Sequence, residues 1–403
     1  MSLHSALIVT KFGYRRGGAE AVAIDLASLL HARGWRVGIF TMDYPANSAP
    51  PPGIAMYTAP EIRIDGALSD RLRGARRVLG GAGVAAAFRA ALTDFRPDIV
   101  HFHNIHSYLS PEVVRIANQK GIPTAWTLHD YKLLCPTYSF LRDGAICEEC
   151  MTGTPIAAVR HRCMKRSLPA TLLAGAEMLK WHRSRLEKWT DAFICPSAFM
   201  AAKMSEGGFD ATKLHTLCNF TTSGIVYQRR PRKNFACYVG RLSEEKGIDT
   251  LLRAVASLQP QRLRLVVAGD GPLAPRLHES YGRCENIQFL GRIGVAEVGH
   301  LLSEALFSVV PSECYENNPL SLIESLSAGT PVVGAAIGGI PELIGEGDGL
   351  MFTPGDVGLL QQAMSTAAAT VWDHDAIAAR AAGAFSPDRH YRRLMEIYRS
   401  VMR

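Results

Sequence analysis

Short apolar runs alternate with helical stretches along almost the whole chain, and the alternation breaks once and restarts. Ser5–Thr10, Val37–Thr41, Asp98–Phe102, Pro123–Leu128 and Asp191–Cys195 read as strands. Helices read over Gly17–Arg33 and Pro111–Lys120, and Ser197 is a plausible N-cap for another. Apolar strands separated by helices form a parallel sheet covered on both faces. From Asn219 to Asn234 the chain is polar, basic and aperiodic, with Gly224 and Pro231, so an inter-domain linker is expected there. The pattern resumes with strands at Phe235–Val239, Leu263–Ala268, Asn286–Leu290, Phe307–Pro311 and Pro331–Gly334. Helices read at Gly247–Leu258 and Leu320–Ala328. A chain of 403 residues exceeds one ordinary core. The expectation is an α/β protein of two Rossmann-like, doubly wound domains.

No apolar run is long enough to span a bilayer, and MSLHSALIVTKFGYRRGG lacks the basic start and cleavage site of a signal peptide. A cytoplasmic protein is expected. Residues 1–218 hold 26 Lys and Arg against 18 Asp and Glu, a net +8, whereas the remainder hold 18 against 19, a net −1. The basic excess, clustered at Arg71, Arg73, Arg76 and Arg77 and at Arg160, Arg162, Lys165 and Arg166, suits anionic lipid headgroups or phosphorylated substrates. The bland reading of each cluster is a solvated helix face. Segment 66–90, rich in Gly, Ala and Arg, reads as a mobile surface helix with its loop.

In doubly wound sheets ligands bind beyond the carboxyl ends of the strands, and two such domains meeting at those ends would enclose a cleft. The loops there carry the chemistry. KFGYRRGGAE (11–20) places Gly17 and Gly18 at a helix start, where the backbone can approach an anion. It matches no dinucleotide or Walker pattern. HFHNIH (101–106) has no familiar metal spacing, and His129 beside Asp130 reads either as a polar group at a strand end or as a hydrogen-bonded core histidine. After Val239, GRLSEEKG (240–247) puts Arg241 and Lys246 around a turn into a helix, as a diphosphate requires. In SECYENNPLSLIE (312–324), Glu316 lies in a loop and Glu324 on the helix that Asn317, Asn318 and Pro319 start. Glu324 interrupts an apolar helix face, which is costly for a carboxylate without a task.

RRGGAE, HFHN, TLHDY, YVGRLSEEKG, VVAGDGP, FLGRI and PSECYENNPLSLIESLSAGTPVVGAAIGGIPELI, in that order and ending at residue 344, resemble the retaining, nucleotide-sugar-dependent glycosyltransferases of family four. The resemblance implies the GT-B fold, two Rossmann-like domains facing across a cleft. It divides the chain into an acceptor-side domain at 1–218, with a cysteine-rich insert at about 131–190, and a donor-binding domain at 219–385. A C-terminal helix at 386–403 would then return to the first domain. By the same resemblance Arg241 and Lys246, with Gly240, hold the donor diphosphate, and Glu324 binds ribose hydroxyls. Glu316 and the Asn317, Asn318, Pro319 and Leu320 backbone meet the donor sugar. His129 lies near the reacting carbon, and Gly17 and Gly18 lie beside the diphosphate and acceptor. Where the family has E-G-F-G, this chain has Glu316-Asn317-Asn318-Pro319. No catalytic metal is expected.

The implied activity transfers a hexose from a nucleotide-diphosphate sugar, with retention, to a glycan or lipid-linked acceptor in surface polysaccharide biosynthesis, on the inner face of a membrane. A sugar phosphorylase or nucleotide-sugar epimerase of the same fold is the alternative. A nucleic-acid-binding zinc module and a catalytically silent scaffold are further ones, although no nucleic-acid recognition motif is present. Nine cysteines in a cytoplasmic chain argue against a disulfide framework. Cys135, Cys147, Cys150 and Cys163, spaced C-x11-C-x2-C-x12-C, suit a structural zinc, with His161 as a substitute ligand.

Overall fold

The computed structural model describes residues 4–62, 67–81, 83–221, 224–225, 227–258 and 263–402. Residues 222, 223 and 226 of the expected linker and residues 66 and 82 of the Gly/Ala/Arg-rich segment lie outside this set. The chain divides into two compact units. One comprises residues 1–140, 147–218 and 390–403, the other residues 141–146 and 219–389.

In the first unit every residue of β1 (Ser5–Val9) is buried, so the strand needs a partner on each edge and cover on each face. The remaining strands are β2 (Arg36–Met42), β3 (Ala55–Ala59), β4 (Ile99–Phe102) and β5 (Thr124–Thr127). A short antiparallel hairpin, β6 (Leu141–Arg142) and β7 (Ala145–Ile146), belongs to the second unit, and the first unit's strands end with β8 (Ala192–Cys195) and β9 (Leu214–Thr216). The sheet runs β3-β2-β1-β4-β5-β8-β9, and all of its pairs are parallel. Its order reverses between β1 and β4, which places the ends of those strands at the switch point. Ser197 caps the Ala198–Glu206 helix by accepting the Met200 N–H, as the sequence predicts. The final helix, Pro387–Val401, contributes Tyr398, whose hydroxyl lies 2.7 Å from His101 Nδ1, and Tyr391, whose hydroxyl accepts the Trp35 indole N–H at 3.1 Å.

Segment 66–90 is not one surface helix. It holds two helices, Leu68–Val78 and Val84–Phe95, and the second buries Val84, Phe88, Ala91, Leu92 and Phe95. Arg77, counted in the sequence with a basic surface cluster, is fully buried. It donates to the Tyr108 and Pro60 carbonyls, which fixes the end of the first helix. Buried carbonyls need donors, and a guanidinium can serve two at once.

The second unit restarts the same winding with β10 (Lys233–Val239), β11 (Arg264–Ala268), β12 (Ile287–Gly291), β13 (Ala305–Val310), β14 (Val332–Ala335) and β15 (Gly349–Phe352). They are ordered β12-β11-β10-β13-β14-β15, and all pairs are parallel. Leu251, Leu252, Val255, Leu265, Val267, Phe307 and Val333 form one core between sheet and helices. The switch point lies between β10 and β13. The loops after those two strands, 240–247 and 311–319, are therefore neighbours. Among the described residues, no helix is long and apolar enough to cross a membrane.

Candidate active site

In the second unit the loop after β10 must turn sharply before the Ile248–Ala256 helix. Gly247 makes the turn with φ at +63°, and a Cβ on it would sit 1.9 Å from the Pro311 carbonyl oxygen. The two loops thus touch through a position that only glycine fits. Gly247→Ala is expected to cost more than about 2 kcal/mol, combining the left-handed backbone with a displaced Pro311. Urea unfolding of the variant measures it, and an unchanged midpoint would refute the contact.

This apposition brings Lys246 Nζ to 2.5 Å from Glu316 Oε1, which also accepts the Ser312 hydroxyl at 2.6 Å. Glu316 is buried. Its main-chain carbonyl accepts the Gly339 N–H at 2.7 Å, so the turn after β14 holds it as well. Burial alone would lower the Lys246 pKa, but the Glu316 carboxylate outweighs it and the net shift is upward. Lys246 is a firm cation already bound to the acid of the neighbouring loop. Arg241 is exposed, and its carbonyl is held by the Tyr238 hydroxyl at 2.7 Å. Gly240, between them, leads out of β10.

Pro319 caps the Leu320–Ser327 helix from an extended conformation, as the Asn-Asn-Pro sequence predicts. Glu324 is half-buried on that helix beside buried Leu322, Ile323 and Ser325. Asn318 has a task the sequence did not reveal. Its side-chain oxygen accepts the Asn219 N–H and its carbonyl accepts the Asn219 side-chain amide, both at 3.0 Å. Asn318 therefore fastens residue 219 to the loop, and Asn317 beside it is equally buried.

In the first unit Gly17 is the extended N-cap of the Gly18–Ala32 helix, and both glycines are exposed. Unpaired N–H groups at that end can receive an anion. Tyr14 stacks on Tyr44 with ring centroids 5.9 Å apart, and Arg15 pairs with Asp25. Lys11, next in the loop, is lowered by burial against the opposing pull of Asp130, Glu20 and Glu177.

His129 follows β5 and is half-buried. Its Nε2 lies 3.0 Å from His103 Nδ1, and the two rings are nearly coplanar. His103 in turn stacks on His101 at 4.5 Å, and His101 Nε2 lies 2.7 Å from the Thr127 hydroxyl. Burial pushes His129 down to about 4, helped by Lys11, and His101 down to about 3. His103 and His106 are also pushed well below the ordinary histidine value by burial. The sequence flagged HFHN without assigning it chemistry. The missing signal is the parallel pairing of β4 with β5, which brings together the ends of the two strands and so His103 and His129, 26 positions apart.

Cys135, Cys147, Cys150 and Cys163 form no disulfide. Burial pushes the Cys150 thiol up to about 11, with Cys135, Cys163 and Cys147 near enough to add to the effect. Among the described residues, however, no three or more His, Cys, Asp or Glu side chains form a group able to hold a metal ion.

Two parallel sheets of Rossmann type in separate units are the architecture of the GT-B class of proteins. The family model for Glycosyltransferase Family 4 matches residues 16–222, just over half of the chain, and that for Glycosyl transferases group 1 matches residues 224–369. The chain belongs to glycosyltransferase family 4. Sulfoquinovosyl transferase from Arabidopsis thaliana is 28% identical over 53% of this chain, and the match spans less than half, 45%, of that relative's length. D-inositol 3-phosphate glycosyltransferase from a Mycobacterium strain is 26% identical over 89% of this chain and 79% of its own. The Anabaena HepE structure, solved with UDP and glucose, superposes with a TM-score of 0.68 over 98% of this chain and 100% of its own, at 18% identity.

Proposed function

We propose that the protein transfers a hexose, with retention, from a nucleotide-diphosphate sugar to a hydroxyl of a glycan or lipid-linked acceptor in surface polysaccharide synthesis at the inner face of a membrane. The observation that carries this reading is the Arg241–Lys246 loop held against Glu316 at the switch point of the second unit. The UDP and glucose in the HepE structure support the donor class. Arg241 and Lys246 take the diphosphate, Glu324 the ribose hydroxyls, and Glu316 with the Asn317–Leu320 backbone the sugar.

In the proposed step the bond from the anomeric carbon to the diphosphate oxygen breaks. The acceptor oxygen bonds to that carbon on the same face, and the acceptor proton passes to the leaving phosphate oxygen. Arg241 and Lys246 stabilise charge growing on the leaving group, the kind of electrostatic contribution that dominates many catalysed reactions. His129 serves at the reacting sugar, and Gly17 and Gly18 serve beside the diphosphate and acceptor. Screening UDP- and GDP-sugars is expected to single out one donor that raises stability by about 2.7 kcal/mol at a hundredfold excess over its Kd. NMR of the product should show the donor's anomeric configuration. Inversion, or a requirement for inorganic phosphate, would overturn the proposal.

For the acceptor side, exposed Ile156, Leu168, Leu172 and Leu179 lie on the same two helices and linking turn as exposed Arg160, Arg162, Lys165, Arg166 and Lys180. Apolar groups ringed by cations suit an anionic bilayer surface. The chain is expected to co-sediment with phosphatidylglycerol vesicles but not with phosphatidylcholine vesicles, and Leu172→Glu with Leu179→Glu should abolish this. Equal binding to both lipids would exclude the electrostatic part. For the cysteine-rich insert we propose that a structural zinc draws the four neighbouring thiols together. Metal analysis of the purified chain should give about one zinc per molecule, and metal-free protein with all four thiols titratable would remove the idea.

A further inference from the structure

We infer that His103 is a positioning residue that holds His129 in one tautomer, with the proton on Nδ1 and Nε2 bare. The inference rests on the proposed role of His129 and adds how that side chain is prepared. His103 Nδ1 and His129 Nε2, 3.0 Å apart, share a single proton. Two arrangements satisfy that contact. If His129 donated, His103 would carry its own proton on Nε2, which is buried with no hydrogen-bond partner among the described residues. A buried N–H without an acceptor is among the rarest groups in folded proteins. If His103 donates instead, its Nε2 is a bare lone pair, which is the less costly orphan. His103 therefore donates, and His129 keeps its proton on Nδ1.

The surroundings fix this choice. Trp126 donates its indole N–H to the His103 carbonyl at 2.9 Å, and His103 N–H donates to Val9 O at 2.9 Å, so the His103 backbone cannot shift. His101 is itself fixed between Tyr398 and Thr127, each at 2.7 Å, and stacks on the His103 ring. The charged and titratable groups acting here are Lys11 on His129, and His101, His129 and His390 on His103. Lys11 in turn sees Asp130, Glu20, Glu177 and Lys132. Burial disfavours a second proton on His129, and the Lys11 cation acts in the same direction. His129 thus meets its substrate as a neutral donor through Nδ1, which makes no hydrogen bond to any described residue. It orients a sugar hydroxyl rather than exchanging protons with it.

The test is long-range 15N–1H NMR of the full chain with labelled histidine, which reports the tautomer directly and needs no substrate. His129 is expected to show the Nδ1–H tautomer throughout pH 6 to 8. His103→Phe should release it to the Nε2–H form that free imidazole favours, with kcat about tenfold lower and donor KM within twofold. His103→Asn, whose side-chain amide nitrogen takes the place of Nδ1, should restore both tautomer and kcat. An Nε2–H tautomer in the unmodified protein overturns the inference, and so does an unchanged tautomer in a folded His103→Phe variant. If His129→Ala keeps full turnover while the tautomer behaves as described, the role of His129 falls and the positioning by His103 stands.

Discussion

Lys246→Ala is expected to lower kcat/KM for the nucleotide sugar by about 10²–10³-fold, the range seen when one preorganised electrostatic donor is removed. The expectation follows from where Lys246 stands. It is held at 2.5 Å from Glu316, at the apposition of the loops after β10 and β13, and its raised pKa keeps it charged. Removing it also leaves the buried Glu316 carboxylate with Ser312 in place of a cation, which should cost about 2 kcal/mol of stability. The two effects separate in a double variant. Adding Glu316→Gln to Lys246→Ala removes the stranded charge and should recover most of the stability, yet turnover stays low. Steady-state kinetics and urea unfolding on the unmodified chain, the single variant and the double variant measure both. If turnover recovers together with stability, Lys246 acts only as a structural partner.

Acid should unfold the first unit well before the carboxylates titrate. His101, His103, His106 and His390 are buried and His129 is half-buried, and all five are depressed by burial, to about 3 for His101 and about 4 for His129 and His390. These groups are neutral when folded, whereas the unfolded chain takes up protons below about 6.5. Their contribution is therefore present above pH 6.5 and is lost as pH falls from 6.5 toward 4. Each costs up to about 1.4 kcal/mol per pH unit in that window. Five together exceed the usual net stability of a domain within two units. Tryptophan fluorescence reports it, because Trp35 and Trp126 lie in this unit. The urea midpoint should fall steeply between pH 6.5 and 5, and a flat midpoint there would mean the histidines are protonated in the fold.

Most of the winding could be read from the sequence because buried parallel strands are apolar on both faces, as in SALIV and AFIC. Besides the short β6–β7 hairpin, the strands that escaped are β3, β9 and β15, all at edges of the parallel sheets. Edge strands are partly exposed, so AMYTA, LHT and GLMF lack the continuous apolar signal. Arg77 was misplaced for a related reason. Its charge suggests water, but the fold needs its guanidinium to satisfy two carbonyls. At the site, Arg241, Lys246, Glu316 and Glu324 could be found from residue type and local turn chemistry. Their pairing could not, since Lys246 and Glu316 lie 70 residues apart and meet only through the register of β10 with β13. The binding of Asn219 by Asn318, 99 residues away, was hidden in the same way.

The central claim is that the second unit grips a diphosphate with its two cations, and calorimetric titration of UDP and GDP into the full chain tests it most directly. One of the two should bind, and Arg241→Ala with Lys246→Ala should weaken it by about a hundredfold or more, in keeping with the loss of two charge-assisted contacts. The matching nucleoside should bind weakly and equally to both proteins. Undiminished diphosphate affinity in the folded double variant would contradict the account.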